Sequence, residues 1–189
     1  MAQQAKIAEY SGTEAISLAE AKSYLRVDYT NEDSYITELI KIARLQVLKD
    51  TNQVLVTTDV TEFYKDWPND ELFCLQYSGV ITSPVLKYFN ESNVEVTLAV
   101  NTDYLISSHS GASKIQMLNT FNLYDRQDAI SFRYNVAPDN DDVVRTLKIA
   151  MYMLIQHYFD NRSPVSYLKV DELPLGYKHI INQYKNYIW

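Results

Sequence analysis

The hydrophobic period changes twice along this 189-residue chain, and that double switch limits the folds open to it. Residues 17–51 place apolar side chains three and four apart, as one face of a helix requires. From Val60 to about residue 137 the spacing becomes two, as a half-buried strand requires; over 140–188 the helical spacing returns. Strands therefore interrupt a helical frame. Helices at the two ends each carry an apolar stripe that needs a partner, so they must pack on one another and the strands must form an insertion.

The stretch 141–164, DDVVRTLKIAMYMLIQHYFDNRSP, contains signals for both ends of a helix. Pro138, Asp139, Asn140, Asp141 and Asp142 supply cap oxygens and negative charge for the positive end of the helix dipole, which predicts a start near Asn140. Val143, Leu147, Met151, Leu154 and Tyr158 recur at helical steps, and Val144, Ile155 and Phe159 widen the stripe. Such a helix is buried over half its surface. Arg162 falls in the last turn, and Pro164 disfavours helical angles at Ser163, which ends the helix.

At the other end of the chain, Ser17-Leu18-Ala19-Glu20 fits a capping box, with Leu18, Ala21 and Leu25 as apolar edge and an end near Arg26. A second helix is expected after a cap at Thr30 or Asn31. Glu32 and Asp33 lie in its acidic first turn, and Ile36, Leu39, Ile40, Ala43, Val47 and Leu48 form a stripe running to about Thr51. Between the helical zones, Phe73, Leu75 and Tyr77 alternate, as do Val94, Val96, Leu98 and Val100, and Ile130, Phe132, Tyr134 and Val136. Val85 to Phe89 and Lys114 to Leu118 complete at least five short strands. Turn signals separate them at Asn69-Asp70, Ser78-Gly79, Asn90 to Asn93 and Ser108 to Gly111. Turns about every ten residues indicate an antiparallel meander or small sandwich, not βαβ units.

The expected fold class is α+β: a small helical bundle, made of a helical hairpin, a long late helix and a terminal helix, with an inserted antiparallel β subdomain. Its parts are 1–55, an N-terminal helical part; 56–138, the β insert; and 139–189, a C-terminal helical part packing on the first. The last helix follows Leu173-Pro174-Leu175-Gly176, and Tyr177, Ile180, Ile181, Tyr184, Tyr187 and Ile188 give it an aromatic stripe reaching Trp189. Terminal helices fray unless held. Trp189 either folds back onto the frame or serves as a hook for a partner.

Composition excludes several functions. Apolar residues at 47% and charged residues at 22% are globular proportions, and no run approaches the roughly 20 apolar residues that cross a bilayer. No membrane association is expected. The first residues hold no apolar block of signal-peptide length, so cytoplasmic synthesis is expected. Lys and Arg number 17 against 24 Asp and Glu, a net charge of −7 that repels a phosphate backbone on average. Cys74 is the single cysteine, which rules out an internal disulfide and a cysteine-based zinc cluster. Sixteen tyrosines suit a protein interface, although core packing and strand surfaces also account for tyrosine.

Searched for catalytic chemistry, the sequence offers little. His109, His157 and His179 show no ligand spacing, and Asp139, Asp141 and Asp142 are explained by capping and lack the glycine and distal Glu of an EF-hand. No glycine-rich phosphate loop, nucleophile elbow or Cys/His pair occurs. The chain is not expected to be an enzyme, and no cofactor or metal is expected.

Three stretches together resemble the phage head-tail connector, or adaptor, family in its longer form with a β-rich insert. The first is Ile16-Ser17-Leu18-Ala19-Glu20-Ala21-Lys22-Ser23-Tyr24-Leu25-Arg26-Val27-Asp28 with Glu32-Asp33 and the apolar positions of 36–43. The second spans 147–165, where His157-Tyr158-Phe159-Asp160-Asn161-Arg162 is similar to the family's late helix and its "YENR"-like turn, with Asp160 in place of Glu. The third is Leu173-Pro174-Leu175-Gly176 before a short helix with Tyr184. Asn135-Val136-Ala137 departs from the alanine-glycine ending common in the family's last strand.

The resemblance implies a non-enzymatic structural protein of the virion neck, made in the host cytoplasm. It would form a dodecameric ring under the portal, extend the DNA channel and dock a stopper or tail-completion protein. Partners would be copies of itself, the portal protein and the stopper, and DNA would pass without specific binding. Alternatives are another neck or tail-completion protein or, in a different class, a DNA-packaging accessory factor or enzyme. Aromatic crowding in Tyr177, Tyr184, Tyr187, Ile188 and Trp189 makes this segment the expected portal-binding surface, the alternative being that these residues close the helical core. A closed ring also needs two different faces on each subunit.

Overall fold

The computed structural model describes residues 4–10, 13–68, 72–77, 79–109, 112–161 and 174–185. The chain divides into two compact units, one built mainly from Thr57–Asp139 and one from Thr13–Val56 with Asn140–Lys185.

The helical unit begins with α1, Leu18–Leu25, whose capping box forms as the sequence predicts. The Glu20 backbone N–H donates to the Ser17 hydroxyl at 3.2 Å, and the Ser17 backbone N–H donates to the Glu20 carboxylate at 2.7 Å. The Ser17 hydroxyl also donates to that carboxylate at 2.7 Å, and this bond first, then the backbone bond, holds the Glu20 carboxyl below its ordinary pKa. Arg26 closes the helix in the left-handed conformation (φ 57°).

Helix α2 covers Asp33–Thr51. Its N-cap is Glu32, without a side-chain cap bond, and not Thr30 or Asn31 as expected. Residues 30–33 instead form a turn in which the Asp33 N–H donates to the Thr30 carbonyl at 3.1 Å. The Asp33 carboxylate accepts from Lys22 Nζ at 2.6 Å, which ties α1 to the start of α2.

Helix α3, Asp141–Asp160, is capped by the Asn140 side chain, which accepts from the Asp142 and Val143 N–H groups. The helix ends at Asp160 with Asn161 as its C-cap, short of the expected last turn at Arg162; Arg162 and Pro164 themselves lie outside the described residues. Helix α4 spans Leu175–Tyr184. The core of this unit is the stripe Ile36, Ile40, Ala43 and Val47 of α2 against Leu147, Ala150, Met151 and Leu154 of α3, closed by Ile16, Ala21, Tyr177 and Ile181. Arg44, buried at the core edge, donates from Nε to Glu14 at 2.9 Å.

Among the described residues the β unit holds eight strands: β1 Gln4–Tyr10, β2 Thr58–Tyr64, β3 Leu72–Cys74, β4 Val80–Phe89, β5 Glu95–Leu98, β6 Tyr104–His109, β7 Ala112–Met117 and β8 Ile130–Ala137. They form two antiparallel sheets, ordered β1-β2-β8-β4-β5 and β3-β7-β6. The sandwich alternative of the sequence reading is the one realised. Inward residues Val60, Tyr64, Phe132, Tyr134 and Leu86 of the larger sheet meet Phe73, Tyr104, Ile115 and Met117 of the smaller, with Tyr64 edge-on to Phe73 and Tyr104 edge-on to Phe132. Strand β1 is an addition to the expected helical N-terminal part. It pairs with β2 and belongs to the β unit, through ladder bonds that local periodicity cannot display.

Two details explain irregular sequence. Pro84 lies in a bulge between Thr82 and Val85 of β4, with Ser83 at φ 51°, where a missing N–H leaves no ladder bond unmade. Gly79 has φ 153°, and a Cβ there would stand 2.2 Å from the Ala137 carbonyl oxygen. Only glycine fits this close approach of the entry to β4 against β8.

Beneath the sandwich surface lies Glu62, fully buried. Its carboxylate accepts from the Tyr64 hydroxyl, from the Tyr134 hydroxyl and, at 2.9 Å, from the Gln76 backbone N–H. Burial first, and then the Glu62 charge, pushes the Tyr64 and Tyr134 hydroxyls far above the ordinary tyrosine pKa, so both remain donors.

Two outcomes follow for stability. Glu62→Ala strands two buried hydroxyls and one part-buried N–H, and denaturant titration followed by circular dichroism should show a loss of about 3 kcal/mol. Because the tyrosine pKa values are raised in the folded state, their stabilisation is intact below the unfolded value of about 10 and erodes as pH climbs above it. Melting temperature should therefore fall with pH above that point, with tyrosinate absorbance from these two rings rising only on unfolding.

Candidate partner-binding surfaces

The terminal aromatic segment divides in the structure. Tyr177 is 2% exposed and belongs to the helical core, where its hydroxyl donates to Asp50 Oδ2 at 2.5 Å. Burial, followed by that bond, raises its pKa strongly. Ile181 is buried one turn on, and Tyr184 packs half-buried against the same cluster. The ring of Tyr177 thus anchors α4 and is not itself surface. Tyr187, Ile188 and Trp189 lie outside the described residues.

Among the described residues, exposed apolar side chains of the helical unit gather on α1 with α3 and on α2. On the first surface, Tyr24 of α1 stacks on Tyr152 of α3 with ring centroids 4.8 Å apart. With Ala19, Glu20 and Ser23 they line an open trough of about 530 Å³. Burial and then the Glu20 charge raise the Tyr152 pKa. Ile149, three residues before Tyr152 on the same outward side of α3, is half exposed.

The other surface is on α2, where Ile42 and Leu45 are 47% and 48% exposed, with Glu38, Lys41 and Lys49 around them. Residues 38, 42, 45 and 49 lie roughly opposite the buried stripe 36, 40, 43 and 47. The sequence reading passed over both surfaces, yet a signal existed: Ile42, Leu45 and Ile149 are large aliphatics out of phase with the stripes of their own helices.

On the β unit, the outward face of the larger sheet is polar. Arg133 pairs with Asp59 at 2.6 Å and Lys87 with Glu95 at 2.7 Å. Leu105 and Leu118 remain exposed near β6 and β7.

Among the described residues no three His, Cys, Asp or Glu side chains come together as metal ligands. His157 meets Asn161 through Nδ1 at 3.5 Å and lies edge-on to the Tyr158 ring, and His179 meets Gln183 at 2.9 Å. Asp139, Asp141 and Asp142 are exposed at the start of α3, where Asn140 makes the cap bonds. Among the same residues no helix is long and apolar enough to cross a membrane.

Comparison with known proteins places this architecture. Residues 15–97, from the start of the helical unit through β5, match the family described as phage gp6-like head-tail connector protein. The whole fold recurs in a chain from the neck of an empty gene transfer agent particle computed with C6 symmetry, at a TM-score of 0.74 and 14% identity, covering 99% of this chain and 97% of that one. A chain from the neck of the native particle computed with C12 symmetry matches with the same identity and coverage at 0.73. One from the native virion does so at 0.71. No curated protein sequence matches significantly. These findings bear out the resemblance to the phage head-tail connector family.

The Tyr177 anchor can be checked directly. Tyr177→Phe removes the bond to Asp50 but keeps the ring, so the protein should fold and lose about 1 to 2 kcal/mol by denaturant titration.

Proposed function

We propose that this chain is a subunit of the neck of a tailed phage or phage-like particle. It assembles as a dodecameric ring beneath the portal, lengthens the DNA exit channel and offers its far side to a stopper or tail-completion protein. The observation that carries this reading is the agreement of two findings: a connector-family match over residues 15–97, and a whole-chain fold match to chains from the neck of a gene transfer agent particle. The role is structural.

Charge and surface support the reading. A net charge of −7 lets DNA pass without being held, since non-specific grip on phosphates needs clustered Lys and Arg. Exposed apolar positions on α2 and on the α1/α3 side give the subunit more than one face that association would cover. The end of the chain, Tyr184 with Tyr187, Ile188 and Trp189, is assigned to the portal. Tyr177 serves that contact by fixing α4 in the core.

Removal of residues 185–189 leaves Tyr177 and Ile181 in place, so the truncated protein should keep its circular dichroism spectrum and melting temperature while losing capture by the portal protein of the same particle. Undiminished capture would contradict the assignment. Negative-stain images of the full chain mixed with portal should show rings stacked on portal; portal left bare would contradict the connector role itself.

A further inference from the structure

The two apolar faces of the helical unit have complementary form. Helices α2 and α3 turn their stripes toward each other, so their outward sides, roughly opposite those stripes, point away from one another. On α2 the outward side is a ridge, Ile42 and Leu45, bordered by Lys41 and Lys49. On the α3 side it is a trough, floored by the stacked Tyr24 and Tyr152 and edged by Glu20. Ridge and trough differ in shape, and so does their charge.

Lys41 bonds Glu38 at 2.7 Å, while Lys49 adds exposed positive charge at the ridge. Glu20 keeps an ionised carboxylate at the trough, its pKa lowered chiefly by Ser17, with Lys148 contributing least. Two unlike, oppositely placed faces are what a closed ring requires of each subunit, because a head-to-tail contact uses one face as donor and the other as acceptor.

We infer that the ridge of one copy, Ile42 and Leu45, seats in the Tyr24/Tyr152 trough of the next copy, with Lys49 facing Glu20. This inference rests on the ring reading above and specifies its contact. Aromatic rings covered by a neighbour's aliphatic side chains are the arrangement that gives interfaces their anchors. The trough is shallow and widely open to solvent, which suits a neighbour's side chains better than an enclosed small ligand.

The test uses the full chain with Cys74→Ser, so that every thiol is introduced. Ser23→Cys places a thiol in the trough and Leu45→Cys places one on the ridge. Mixed in equal amounts under mild oxidation, these two variants should give a heterodimer that stops at two chains, whereas the double variant Ser23→Cys/Leu45→Cys should give a ladder of higher multimers. Leu45→Asp, at an exposed position, should keep the fold and abolish rings in negative stain.

If wild-type rings form, alone or on portal, but no heterodimer appears or Leu45→Asp still makes rings, this contact is wrong and the ring reading survives. If the wild-type chain forms no ring in either condition, the ring reading fails and the contact falls with it.

Discussion

Ile36, Ile40, Ala43 and Val47 of α2 are buried against Leu147, Met151 and Leu154 of α3, and the helical unit exists through that burial. Each buried Ile, Leu or Met side chain is worth about 2 kcal/mol relative to exposure. The partners are some hundred positions apart in the sequence, so the contact closes a long loop before it gains anything. Loop-closure entropy grows only slowly with length, which makes an inserted β unit tolerable. Polar bonds then fix the geometry: Lys22 to Asp33 sets α1 on α2, and Tyr177 to Asp50 sets α4 on α2.

The β unit solves a different problem. Its sheets bury aromatic residues, and within them a carboxylate, Glu62, that would be costly without partners. Tyr64, Tyr134 and the Gln76 N–H meet that need. The cluster joins β2, β8 and the segment after β3, so it specifies which strand lies over which. Gly79 does similar work at the entry to β4, where no larger residue fits beside Ala137.

Much of this architecture was legible because it is written locally. Ser17 and Glu20 form their box within one turn, Asn140 caps α3, and alternation marks β8 from Ile130 to Val136. Long-range pairing was not legible: β1 is recognised only through its ladder to β2, and the α2 cap lies at Glu32 because residues 30–33 close into a turn first. Glu62 left a trace, since it shares the inward phase of Val60 and Tyr64 on β2. The surfaces were legible only in part. Tyr177 reads as a docking residue because aromatic content does not distinguish core from interface, while Ile42, Leu45 and Ile149 stand out only by their phase against the buried stripes.

Binding in this account comes from side chains left over after the core is filled, with symmetry deciding how they are used. The most direct measurement is a cryo-electron reconstruction of the neck of the particle that carries this chain. The expected result is a closed ring of this fold between portal and tail, each copy turning its α2 outward side to the α1/α3 side of the next. A neck whose ring is built of another fold, with this chain absent or present as a single copy, would contradict it.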